Sequence, residues 1–90
     1  MTAPASLQLD MFPTDAHLRC IDPKRNKWRF YRMSIQPTLF DDWLLVREWG
    51  RIGQNGQARH EHHPSIGAAL TSLQRMTLQK RKRGYQDVVH

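Results

Sequence analysis

Acidic residues are missing between Glu61 and Asp87, although that stretch holds five cations, Arg75, Lys80, Arg81, Lys82 and Arg83. Elsewhere in the 90 residues nine cations face eight acids, so nearly all of the formal charge of +6 lies in one segment. An excess of this kind raises the expectation of a polyanionic partner, nucleic acid first and an acidic membrane surface second. Cysteine is almost absent too. A lone Cys20 excludes an internal disulfide and a Cys-based zinc site. Between Leu18 and Ile21 it reads as a small buried hydrophobe, with a reactive thiol as the alternative. No uninterrupted apolar run exceeds four residues, far short of the ~20 that a membrane-spanning helix needs. The N-terminal residues lack the cationic start and apolar stretch of a secretory signal. A cytoplasmic location, with no membrane partner, is the default expectation.

Catalytic signatures are also missing. There is no GxSxG, no phosphate-binding glycine loop and no paired-carboxylate arrangement, and nothing in the Ser, His and Asp spacing suggests a triad. His60-Glu61-His62-His63 invites a metal reading, but a strand puts His60 and His62 on one face and turns His63 away, without a fourth ligand. The chain is therefore expected to be neither enzyme nor metalloprotein, and to use no cofactor. Its length suits one domain and leaves no room for a second core.

What is present reads as an α+β domain. Residues 1–15 carry two prolines and no sustained period, so they read as a mobile tail ahead of a domain over 16–90. Ala16–Asp22 alternates with Leu18 and Cys20 on one side. Asp22-Pro-Lys-Arg-Asn-Lys27 supplies a turn, in which Pro23 fixes φ and Asn26 tolerates a left-handed backbone. Trp28–Ile35 is a second strand, ended by Pro37, and the loop Thr38–Asp42 is expected to tuck Leu39 and Phe40 against the core. Trp43–Ile52 is a third strand, Asn55-Gly56 a type I′ hairpin signal, and Gln57–His63 the returning strand. From Ser65, a plausible N-cap, the period becomes helical, with Ile66, Ala69, Leu70, Leu73 and Met76 on one stripe. Lys80 must snorkel outward, Gly84 ends the helix, and Tyr85–Val89 can add an edge strand. The expected architecture is an antiparallel sheet of about four or five strands with one amphipathic helix packed on a face, monomeric by default.

Three segments carry functional candidates. In the third strand Arg47, Trp49 and Arg51 project from one face, alternate positions standing about 7 Å apart. Two guanidinium groups flanking an indole suit a nucleic-acid backbone or end; the competing reading is a half-buried tryptophan with arginines along its ring. Gly50 either lets another backbone approach or marks a bulge that aims Trp49. The basic group Arg75, Lys80, Arg81, Lys82 and Arg83 offers phosphate contacts through part of its members. Cations in a last helical turn also complement the helix dipole for about 0.3–1 kcal/mol each, and 100° per residue fans them around the axis. The third candidate is Gln8-Leu9-Asp10-Met11-Phe12, which resembles the short peptide with which bacterial replication and repair proteins dock on the DNA sliding clamp. There Gln8, Leu9, Met11 and Phe12 would enter an apolar pocket; the alternative is a tail folded back over the sheet.

Trp49-Gly50-Arg51 with Leu44-Leu-Val-Arg-Glu48 before it and Ile52-Gly53 after it resembles the WGR domain. Asn26-Lys-Trp-Arg-Phe-Tyr31 upstream and Lys80-Arg-Lys-Arg-Gly-Tyr85 downstream extend the likeness over residues 18–85. The resemblance implies an antiparallel sheet with one long helix. WGR domains accompany the catalytic region of poly(ADP-ribose) polymerases and help detect DNA breaks, and the chain is most similar to the stand-alone bacterial members. The likeness implies Trp49 as a DNA-end contact and Arg51 as a contact to DNA or to a partner protein. The chain has no ADP-ribosyltransferase region, and Asp41-Asp42 makes its loop more acidic than phosphate contact would favour. The resulting expectation is a nucleic-acid-binding module, DNA ahead of RNA, with a protein-interaction adaptor as the alternative.

Overall fold

The computed structural model describes residues 14–88, which form β1 (Asp15–Asp22), β2 (Lys27–Pro37), β3 (Trp43–Arg51), β4 (Gln57–His63), α1 (Ile66–Lys82) and β5 (Gln86–Asp87). The strands make one antiparallel sheet in the order β4-β3-β2-β1-β5. This is the expected α+β arrangement, at the upper strand count. Asp15, assigned to the tail by sequence, opens β1, and Ile35 donates its backbone N–H to Thr14 O. The candidates Gln8, Leu9, Met11 and Phe12 lie outside the described residues.

The pleat sorts the side chains. Leu18 and Cys20 of β1, Tyr31, Met33 and Ile35 of β2 and Leu45 of β3 are buried on one face, and α1 closes over them with Ala69 and Leu73. Full burial of each Leu, Ile or Met is worth roughly 1.5–3 kcal/mol. The helix also buries Ser72 and Thr77, which the apolar stripe does not reveal. Thr77 can be there because its hydroxyl donates to Leu73 O at 2.8 Å.

The helix ends are where the sequence puts them. Ser65 has extended backbone and its Oγ accepts from Ala68 N at 3.1 Å. At the other end Gly84 takes φ 98°; Tyr85 N–H bonds Lys80 O at 3.1 Å and Gly84 N–H bonds Arg81 O at 3.0 Å. That pair of bonds is a Schellman closure, and glycine supplies its left-handed position without penalty. It turns the chain back so that β5 joins the edge of β1. No helix among the described residues is long and apolar enough to cross a membrane.

Two loops differ from expectation. Leu39 and Phe40 do not tuck inward: they are 96% and 85% exposed. The loop satisfies its polar groups internally. Thr38 N–H donates to Asp42 O at 3.0 Å, the Thr38 hydroxyl donates to the Asp42 carboxylate, and Phe40 N–H donates to Thr38 Oγ1 at 3.1 Å. Asp41 sits at φ 63° to close the circuit, which turns the two apolar side chains outward. The Thr38 hydroxyl, followed by His62 with Nδ1 3.0 Å from Asp42 Oδ2, holds the Asp42 pKa below its ordinary value.

The second difference is the β3–β4 hairpin. Asn55 and Gly56 do not form the I′ turn, since neither has positive φ. The reversal instead runs Arg51–Gln54, with Gln54 N–H bonded to Arg51 O at 3.1 Å and Gly53 at φ 85°, the geometry of a type II turn. Gly56 is used for closeness: a Cβ there would stand 2.2 Å from Trp49 O, and one on Gly50 would stand 2.8 Å from Gly56 Cα. The Phe30 ring covers both glycines, 3.5 and 3.0 Å from those notional Cβ positions. Gly50 is thus explained by the approach of another backbone. Gly56→Ala is expected to cost about 1–3 kcal/mol in urea unfolding by overpacking, whereas Gly53→Asn, which meets open space and keeps a residue tolerant of positive φ, should cost under ~1 kcal/mol.

Candidate nucleic-acid interface

Alternation in β3 puts Trp43, Leu45, Arg47, Trp49 and Arg51 on the face that carries the helix. Leu45 fills the centre of the core. Trp49, two rungs further on, is opposite Tyr31 in the register and is covered less completely. Its ring stacks on Tyr31 with centroids 6.0 Å apart and planes 19° apart, and Tyr85 meets Tyr31 edge-on at 6.4 Å. A three-ring group therefore lies at the C-terminal end of α1, held by the buried Tyr31 and half open at Trp49 and Tyr85.

Arg47 is largely buried, with 14% of its side chain exposed. Its Nη2 donates to Glu61 Oε2 at 2.6 Å and its Nη1 to Tyr31 OH at 3.2 Å. The Tyr31 hydroxyl donates onward to Met76 Sδ at 3.9 Å. The guanidinium carbon lies 5.9 Å from the Trp49 ring centroid. These are the contacts of an arginine laid along a half-buried tryptophan, committed to Glu61 and Tyr31. Arg51 is exposed, but it also has work inside the fold: Nη1 and Nη2 reach Asn26 O and Oδ1 at 3.3 and 3.2 Å, tying β3 to the β1–β2 hairpin. Asn26 can accept this because its backbone is left-handed, φ 53°.

The basic run divides three ways. Lys80 lies over the rings, its Nζ 4.5 Å from the Tyr31 centroid and 5.5 Å from that of Tyr85. Arg83, the C-cap, is on the same side. Arg81 points to β5, where Asp87 holds it with bonds of 3.1 and 2.5 Å. Lys82, like Arg75, is exposed on the side of α1 turned from the sheet. Desolvation lowers the Lys80 pKa from its ordinary value, and Arg83, Arg47 and Arg29 push it the same way. The native state binds fewer protons in the window below the unfolded value, so this group's contribution to stability rises with pH there. A polyanion at the same place would reverse the shift.

Arg29 was not apparent from sequence. The register sets it opposite both Arg51 and Cys20, on the helix face beside the ring group, and only strand register could have revealed it. Tyr31 joins the site in the same way, whereas Asn26 comes from the β1–β2 turn and Tyr85 from the end of the helix. The result is a surface with a half-open indole, a platform of tyrosines and a ring of cations comprising Arg29, Arg51, Lys80 and Arg83. The histidines of β4 are not part of it. His62 pairs with Asp42, and His63 Nε2 lies 3.6 Å from Glu61 Oε1. No cluster of three or more His, Cys, Asp and Glu side chains among the described residues is arranged to hold a metal ion.

These features define a small α+β domain, and its family follows from comparison. The WGR domain family model matches residues 14–90, so the chain belongs to the WGR domain family. It is also 43% identical over 74 residues to an uncharacterized protein, y4dW, of Sinorhizobium fredii; the match covers 82% of this chain and 36% of that protein. No solved structure matches the chain significantly.

Arg47→Met, which keeps the packing stem but leaves Glu61 with only the more distant His63 Nε2 at 3.6 Å, is expected to lower stability by about 2 kcal/mol, since removing one member of a largely buried pair strands most of the other's charge. Adding Glu61→Gln should recover part of the loss. Urea unfolding of the two single variants and the double variant measures both effects.

Proposed function

We propose that the domain binds nucleic acid, DNA ahead of RNA, through the surface around Trp49, and that it is not an enzyme. The observation that carries this reading is the placement of Lys80 over the Tyr31 and Tyr85 rings of a half-open aromatic group, with Arg29 next to Tyr31 on the same strand face. Arginine forks and a lysine ammonium engage phosphate oxygens, while a stacked indole offers a flat face to a sugar or terminal base. Membership of the WGR family supports the same partner class. In this reading Trp49 and Arg51 make the contacts that the family implies, Gly50 permits the tight strand beneath them, and Arg47 orients Trp49. Lys80 and Arg83 supply phosphate contacts at the helix end. Lys82 is a peripheral contact and Arg81 is occupied by Asp87. The domain acts in the cytoplasm as a monomer, through mostly electrostatic, sequence-independent binding with a preference for ends.

A protein-interaction role is the second reading. It is favoured by Leu39 and Phe40, two large apolar side chains turned to solvent on an internally bonded loop. Docking on a sliding clamp through Gln8, Leu9, Met11 and Phe12 belongs to this reading.

Fluorescence titration with a blunt duplex at several salt concentrations tests the proposal. Three to five phosphate contacts give a slope of log affinity against log salt of about −3 to −5. Trp49→Ala, Arg29→Ala and Arg83→Ala should each weaken binding several-fold, and Arg81→Ala should change it less than twofold. A flat salt dependence, or equal losses from Arg81→Ala and Arg83→Ala, would overturn the assignment.

A further inference from the structure

The sheet has a second face, away from α1. Its central strand β2 presents Trp28 and Phe30 in alternate positions, with Ile21 of β1 beside Trp28 in the register. Trp28 is 36% exposed and Ile21 49%. Arg19 is opposite Phe30 in the register, and the Arg32 guanidinium lies 5.1 Å above the Phe30 ring centroid. A cleft of about 210 Å³ opens beside these residues, bounded by Arg19, Phe30, Arg32, Ile52 and the Gly53-Gln54 turn. The cleft can take a flat heteroaromatic ring. Of the acids on this face among the described residues, Glu48 lies 3.8 Å from Arg32, Asp15 stands at the other end of β1 from Ile21, and Asp42 is held by His62.

We infer that this face is a second nucleic-acid site, a platform on which the bases of a single strand stack over Trp28 and over the Arg32 guanidinium that covers Phe30, while Arg19 engages a flanking phosphate. Two features select this occupant over an apolar protein surface. The rings occur on an open sheet where successive bases can lie flat, and the cations bracket the rings instead of lying at a distant rim. The turn contributes Gln54, whose amide can bond a base edge. The glycines under Phe30 serve the platform as well: Gly50 and Gly56 carry no side chain, so the ring lies close to the sheet. This site is on the opposite side of the sheet from Trp49 and does not depend on the reading of that surface.

The test uses the full chain with two labelled probes, the single strand dT12 and a blunt-ended hairpin duplex, followed by fluorescence anisotropy at low salt. Stacking on one aromatic side chain is worth about 1–3 kcal/mol, so Trp28→Ala is expected to weaken dT12 binding about tenfold. Trp28→Phe should restore most of the loss, and Arg19→Ala should weaken dT12 several-fold. All three should leave duplex affinity within twofold, whereas Trp49→Ala should weaken the duplex and spare dT12. Thermal melts of each variant separate lost binding from lost folding. The inference is overturned if dT12 does not bind, if Trp28→Ala and Arg19→Ala leave its affinity unchanged, or if Trp49→Ala removes dT12 as strongly as Trp28→Ala does. It is equally overturned if Trp28→Ala acts by dissociating a dimer in sedimentation, because the face would then be covered by a second copy. Loss of the duplex response alone would count against the Trp49 surface and not against this one.

Discussion

The Tyr31 side chain is the contact on which the rest of this domain depends. It is 3% exposed, yet it touches everything that gives the helix face its character. Trp49 stacks on its ring, Tyr85 meets its edge, Lys80 lies above it, and its hydroxyl links Arg47 to Met76. A buried phenol is costly unless its hydroxyl finds a partner, and Arg47, anchored on Glu61, provides one. The same ion pair thereby holds β3 to β4 and keeps the indole of Trp49 in one orientation. The group that completes the core thus also carries the half-open aromatics to the surface.

The three residues of the family motif each solve a local structural problem. Trp49 extends the core beyond Leu45, Gly50 makes room for Gly56 under the Phe30 ring, and Arg51 fastens the neighbouring hairpin through Asn26. Two of these three tasks concern the joining of hairpins. Arg51 ties the hairpin ends together while remaining exposed. Lys80 follows a similar logic, because the rings that desolvate its ammonium also hold it ready beside Arg29 and Arg83.

Much of the fold was legible in the sequence because period and punctuation agree. Leu18 and Cys20 alternate, Ser65 and Gly84 bracket a helical stripe, and Asn26 stands where a left-handed residue is required. Failures came where one residue type serves two purposes. Asn55-Gly56 carries the dipeptide of a tight turn, but Gly56 is needed for close packing against Trp49 O, and Gly53 takes the turn. Leu39 and Phe40 were expected inside on hydrophobicity alone, whereas the Thr38–Asp42 bonds turn them out. The site was legible as a motif and not as a surface. Alternation placed Arg47, Trp49 and Arg51 together, but it could not say that the helix lies on that same face. Burial of Arg47, the pairing of Arg81 with Asp87 and the arrival of Arg29 all follow from strand register and helix placement, which sequence periodicity does not encode.

The central claim is that the polyanion-facing surface is the ring group at the helix C-terminus and not the outer side of the helix, where Lys82 and Arg75 lie. Mapping chemical-shift changes on the isotope-labelled 90-residue chain, titrated with a short blunt duplex at low salt, tests this most directly. The account predicts the largest shifts at the Trp49 indole N–H and at Arg29, Arg51, Lys80 and Arg83, with Arg81 and Arg75 little changed. Shifts centred on Arg75 and Lys82, with the Trp49 indole unmoved, would contradict it.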